Sequence, residues 1–137
     1  MEDFSQNVIK DYKYWTVFVC QDQTYLGRCV IWCKREEALD LADTTTEEQK
    51  ELFVILKKLK ESTIKAFRPD LFNYSFLGNK TRHLHGHFVP RYSSPREFGG
   101  LTFVDKKWGH NYKTNESLFV PQEILETIRL KLKEGLK

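Results

Sequence analysis

Three of the chain's four histidines, His83, His85 and His87, fall on alternate residues within RHLHGHFVPRY, residues 82–92. With an ordinary pKa of about 6.5, an imidazole near neutrality can either offer a lone pair or give up a proton. Alternate side chains on a β-strand share one face, so the three rings would form a row while Leu84, Gly86 and Phe88 face the other way. Leu84 and Phe88 suit packing beneath a helix, and Gly86 leaves room between them for something bulky.

Three readings of such a row compete. The histidines can merely decorate a strand, which asks for three adjacent titratable side chains to no purpose. They can bind a metal, since two histidines at i and i+2 can share one ion. At roughly 3.3 to 3.4 Å per residue, however, His83 and His87 stand about 13 Å apart, so all three on one ion is strained. No Asp or Glu lies between Asp70 and Glu97 to complete a smaller ligand set. The third reading lays the row along a phosphate chain, with one ring as nucleophile and the others as donors. Successive rings, roughly 6.7 Å apart, match the reach between successive phosphates.

Charge favours the phosphate reading. Residues 80–113 carry seven basic side chains (Lys80, Arg82, Arg91, Arg96, Lys106, Lys107, Lys113) against Glu97 and Asp105, a local balance of +5 within a chain of net +3. A positive field around the histidines attracts an anionic ligand such as a phosphate ester, while the net charge is too small to imply extended nucleic acid.

These side chains need a scaffold. Residues 14–20 and 28–33 are β-branched and aromatic and flank QDQTYLG, which reads as an antiparallel hairpin closed by Gly27. Thr45 and Glu48 have capping-box spacing at the start of a helix that runs to Arg68-Pro69-Asp70. Its core face is Leu52, Ile55, Leu56, Leu59, Thr63, Ala66 and Phe67. Residues 71–78 and 83–89 read as a third and a fourth strand, the latter ending or meeting an edge at Pro90. A long loop without clear structure, suited to function or to covering a partner, is expected over residues 91–118. Pro121 then opens a last helix with Ile124, Leu125, Ile128 and Leu132 on one face and Gly135 at its end.

The order ββαββα predicts an α+β fold, an antiparallel sheet with one main helix and a C-terminal helix. At 137 residues, 40% of them hydrophobic and 30% charged, a single domain over residues 1–137 is expected. The acidic start and the absence of an apolar run of roughly 20 residues suggest a cytoplasmic protein. Cys20, Cys29 and Cys33 form no CxxC pair and read as small buried residues rather than a disulfide framework, a zinc knuckle or a nucleophile.

The motif HLHGHFV followed by PRY resembles the histidine triad family, and the likeness extends over about residues 14–92. It is most similar to the bacterial and archaeal diadenosine tetraphosphate hydrolase-like branch, and the later segment FGGLTFVDKKWGHNY resembles the tail of that branch. The resemblance implies a nucleotide hydrolase or transferase with no cofactor and no obligatory metal. In it His85 attacks the α-phosphorus of a nucleotide to give a nucleotidyl-histidine, His87 contacts the bridging or leaving atom, and His83 orients the nucleophile through its backbone carbonyl. It further implies that Asn73 and Asn79 are candidates to face the phosphates, Asn79 reading equally as a turn residue, with Lys80 flanking the site or facing water, and that the protein is a homodimer acting on a nucleotide or dinucleoside polyphosphate. Relatives often carry a fourth histidine where this chain has Arg28, which can bind phosphate but cannot shuttle a proton. His110 could reach the site only if its loop folds back, and simple anchoring is expected for Trp108 and Tyr112. A nucleotide-binding module with little turnover is the alternative from another class.

Overall fold

The computed structural model describes residues 5–113 and 118–137. Its elements run β1 (Val8–Asp11), β2 (Trp15–Val19), β3 (Cys29–Cys33), α1 (Thr46–Phe67), β4 (Leu71–Ser75), β5 (His85–Arg91), β6 (Arg96–Phe98), β7 (Leu101–Phe103) and α2 (Gln122–Glu134). The first five strands form one antiparallel sheet in the order β1-β2-β3-β5-β4, and β6 and β7 form a separate hairpin. This is the α+β architecture expected from the sequence, with two strand pairings more than the sequence pattern reveals.

Alternation sorts the sheet into two faces. Trp15, Val17, Val19, Cys29, Ile31, Cys33, Leu84 and Phe88 join Leu52, Ile55, Leu59 and Phe67 of α1 and Leu125, Ile128 and Leu132 of α2 in one buried cluster. Both helices therefore cover the face away from the histidines. The capping box of α1 forms as its spacing predicts, with Glu48 N–H donating to Thr45 Oγ1 at 3.1 Å and Thr45 N–H to Glu48 Oε1 at 2.8 Å. Gly135 lets α2 end against α1, because a Cβ there would lie 2.4 Å from Ser62 Cβ.

The structure corrects three expectations. β5 begins at His85, so His83 precedes the strand, and it continues through Pro90 to Arg91. Arg91 O accepts from Asp70 N at 2.8 Å on the β4 side, so the missing Pro90 N–H faces the other side, where β3 has already ended opposite Phe88. Within the expected loop, residues 91–113 are not structureless, since β6 and β7 turn through Gly99 and Gly100 at φ 60° and 80°, and residues 114–117 lie outside the described residues. Such positive angles at both central residues are what a tight two-residue hairpin needs. Finally, β1 adds an edge strand before the expected hairpin.

Candidate active site

The open face of the sheet carries the histidines. Register places His87 opposite Val30 on β3 and Ser75 on β4, and His85 opposite Trp32, so these side chains share one surface. Arg28, Val30 and Trp32 alternate along β3 with the core residues Cys29, Ile31 and Cys33, which brings Arg28 to the same face.

Hydrogen bonds assign the ring nitrogens. His85 Nδ1 lies 2.7 Å from His83 O. A carbonyl only accepts, so Nδ1 carries a proton, and in the neutral ring the lone pair is on Nε2. His83 Nε2 donates in the same way to Cys33 O at 2.6 Å, tying the segment before β5 to the end of β3. Trp32 braces both rings, stacking on His83 at 4.3 Å and on His85 at 5.5 Å between centroids. The His85 and His87 rings meet edge-on at 5.1 Å. His87 Nδ1 accepts from Arg28 Nη2 at 3.4 Å. Burial, the Arg28 guanidinium and His85 together push the His87 pKa down to about 4.

Arg28 is 4% exposed and its surroundings hold it still. Its carbonyl accepts from the buried Gln23 amide at 3.0 Å, Asp22 Oδ2 approaches Nη1 at 4.0 Å, and the Tyr112 ring covers the guanidinium at 5.5 Å. Tyr112 also bonds Ser75 hydroxyl to hydroxyl and packs edge-on against Tyr25. The segment after β7 thus folds back over the site, and Tyr112 does more than anchor a loop. His110 has an exposed side chain, and it is its backbone carbonyl that engages the site's support, accepting from Arg91 at 3.0 Å.

Asn73 is placed by a buried ion pair. Arg91, 3% exposed, donates to both carboxylate oxygens of Asp105 at 2.7 and 3.1 Å, and its Nη1 donates to Asn73 Oδ1 at 2.7 Å. The Asn73 oxygen is spent on Arg91, so its amide N–H groups remain as donors. A depression of about 490 Å³ beside this edge is lined by Asn73, Ser75, Asn111 and Tyr112 among others. The positive charge expected around the histidines is partly consumed, since Arg91 pairs with Asp105 and Arg96 closes the end of α1 on Phe67 O and Arg68 O. Asn79 and Lys80 lie exposed on the bend between β4 and β5.

Sequence reasoning missed Trp32, Ser75, Asp22 and Asp105. Trp32 was within reach of it, because the hairpin register sets that residue on the face of Arg28. The others depend on tertiary contacts. Burial raises the pKa of all three free thiols, Cys20, Cys29 and Cys33, which disfavours a thiolate nucleophile. Among the described residues no group of three His, Cys, Asp or Glu side chains is arranged to hold a metal ion, and no helix is long and apolar enough to cross a membrane.

Comparison with known proteins places this geometry. Among curated proteins no sequence matches. Solved structures share the fold. A histidine triad protein from Sinorhizobium meliloti superposes with a TM-score of 0.78 at 17% identity, covering 96% of this chain and 92% of that one. One from Marinobacter aquaeolei gives 0.73 at 19%, covering 97% and 91%. A diadenosine triphosphate hydrolase from Plasmodium falciparum, solved with cyclomarin A, gives 0.67 at 16%, covering 96% and 77%. The family model described as the HIT domain matches residues 2–94, more than half of the chain and the whole of the triad with its supporting strands. The chain therefore belongs to the histidine triad family.

Proposed function

We propose that the protein is a nucleotide hydrolase or transferase that cleaves a phosphoanhydride or phosphoramidate at the α-phosphate through a nucleotidyl-His85 intermediate. The observation that carries this reading is the 2.7 Å contact from His85 Nδ1 to His83 O. In the neutral ring it puts the lone pair on Nε2, on the open face of the sheet, which is the atom an imidazole nucleophile uses. His83 orients His85 and is itself fixed on Cys33 O. His87 faces the bridging or leaving atom. The Asn73 amide, Asn79 and Lys80 contact phosphate oxygens, and Arg28 supports the array on the same face through His87 Nδ1. Charge on those oxygens is met by fixed donors, so positioning and electrostatics supply most of the rate. Dinucleoside polyphosphates are the substrate class closest to this arrangement and to the hydrolase among the structural neighbours.

A homodimer acting in the cytoplasm completes the proposal. Its support is an open β4 edge beside an apolar groove of about 620 Å³ that Leu41, Phe53, Leu56, Tyr74 and Phe76 help to line. Phe53 is 61% exposed, a large apolar surface for a side chain facing water.

The test is intact-protein mass spectrometry after brief mixing with diadenosine tetraphosphate and, separately, adenosine phosphoramidate, for wild type and His85→Asn. A one-nucleotide adduct on wild type that is missing from the variant supports the mechanism. No adduct and no released nucleotide from either substrate favours a binding module instead.

A further inference from the structure

Arg28 and His87 form a pair whose chemistry is one-sided. A guanidinium has donors and no acceptor, and it stays protonated throughout the pH range of enzymes. With Arg28 Nη2 at 3.4 Å, His87 Nδ1 must be the acceptor, and the ring proton must sit on Nε2. We infer that Arg28 is a positioning residue that locks His87 as a neutral Nε2–H donor, so the site selects substrates whose leaving group departs as an oxyanion over those whose leaving nitrogen must be protonated. This rests on the nucleotidyl-transfer reading above and narrows it to phosphoanhydrides.

The lock is built into the fold. The Arg28 backbone is fixed, since its N–H donates to Tyr25 O at 3.0 Å and its carbonyl accepts from Cys20 N at 2.9 Å and from Gln23 Nε2 at 3.0 Å, while its side chain is buried under the Tyr112 ring. Its charge is offset only in part. Asp22 stands 4.0 Å from Nη1 and spends Oδ1 on Thr24 N at 3.0 Å and Thr24 Oγ1 at 2.7 Å. Among the described residues, Arg28 Nε and Nη1 are buried and without a hydrogen-bond partner. The groups that touch His87 are Arg28 before β3 and His85 on β5, with Ser75 its register partner on β4 and Tyr112 bonded to Ser75. Cys20 and Asp22 act on Arg28 rather than on the ring. None of these places a carboxylate on His87, and the depressed His87 pKa agrees with that arrangement.

The two bond cleavages differ in what they need. With an anhydride, His85 Nε2 forms the N–P bond, the P–O bond to the leaving phosphate breaks, and its electron pair stays on an oxygen already stable as an anion. The neutral His87 N–H need only hydrogen-bond to that oxygen. Water then attacks phosphorus, the N–P bond returns its electrons to Nε2, and the water proton passes to solvent. With a phosphoramidate, the departing nitrogen must gain a proton as the P–N bond breaks. Neutral His87 could supply it only by becoming an imidazolate, which an ordinary imidazole does not do near pH 7.

The experiment has two arms. Turnover of diadenosine tetraphosphate and of adenosine phosphoramidate is measured from pH 5 to 8 for wild type and Arg28→His. Nitrogen-15 NMR of wild type labelled in histidine reads the His87 tautomer without any substrate. Wild type is expected to prefer the anhydride, with amidate turnover rising as pH falls. Arg28→His is expected to shift the amidate-to-anhydride ratio upward by about 10-fold, because losing the guanidinium lets His87 take a proton more readily while the burial of its ring remains. Comparable wild-type turnover of both substrates with the His85 adduct formed overturns the inference and leaves the proposed function standing. No adduct from either substrate overturns both. If Arg28→His does not fold, the wild-type spectra decide, because a proton on His87 Nδ1 between pH 6 and 8 refutes the lock outright.

Discussion

Gly86 sits between the two working histidines, and substituting it tests how tightly the sheet holds them. A Cβ at residue 86 would lie 2.5 Å from both Cε1 and Cζ of Phe76 and 3.1 Å from its Cδ1. Carbon atoms prefer separations of about 3.5 to 4.0 Å, so the ring or the strand must give way by about 1 Å. Overpacking of this kind costs about 1 to 3 kcal/mol. Against it stands the gain of about 0.5 to 1 kcal/mol from stiffening the unfolded chain, since Gly86 does not have a left-handed φ. Gly86→Ala is therefore expected to destabilise by about 1 to 2 kcal/mol, lowering Tm by roughly 3 to 10 °C. A double-mutant cycle with Phe76→Ala isolates the cause. Removing the ring opens the space, so Gly86→Ala in that background should cost nothing or stabilise slightly, a coupling of about 1 to 3 kcal/mol. The assay is urea unfolding of the four proteins, with His85 adduct formation measured alongside and expected to slow in Gly86→Ala alone. Additivity within about 0.5 kcal/mol refutes the steric argument.

Three further outcomes follow from the site's supports. Asp105→Asn leaves Arg91 buried without its counter-charge and is expected to cost about 3 to 5 kcal/mol in urea unfolding, with adduct formation impaired because Asn73 loses its anchor; a cost below about 1 kcal/mol contradicts it. The folded pKa of His87, about 4, lies below its unfolded value near 6.5, so the unfolded chain binds the extra proton in that window and stability falls as pH drops through it. At about 1.4 kcal/mol per unit, discounted for partial exposure, wild type should lose about 2 kcal/mol more than His87→Gln between pH 7.5 and pH 4, read from paired urea titrations. Phe53→Lys should convert a dimer to a monomer in sedimentation velocity without unfolding it, whereas an unchanged sedimentation coefficient removes that groove from the interface.

What could be read from the sequence was set by how local each signal is. The capping box at Thr45, the apolar stripe of α1 and the alternation of His85 and His87 are periodic within a few residues, and each appears as expected. Alternation alone puts His83 in the strand, because it cannot show that the ring turns aside to bond Cys33 O, fifty residues away. The β6–β7 hairpin had a local signal in Gly99-Gly100, obscured by the short strands on either side. β1 is four residues on a sheet edge, too short for a pattern. Tyr112 over Arg28 and the hold of Arg91 on Asn73 join segments far apart in the chain. They rest on the path of residues 104–113 over the sheet, which no window of sequence contains.

The stacking of Trp32 on His83 and His85 gives the protein a built-in optical probe. Indole emission is quenched by a neighbouring imidazole, and more strongly when that imidazole is charged, so attaching a nucleotide to His85 should change the light that Trp32 emits. Trp15 is fully buried on the opposite face and provides a steady background. With Trp108 replaced by Phe, the intensity of one indole would follow loading and discharge of the histidine in a stopped-flow cell. A side chain that braces the nucleophile would thereby serve as an unlabelled real-time gauge of each turnover.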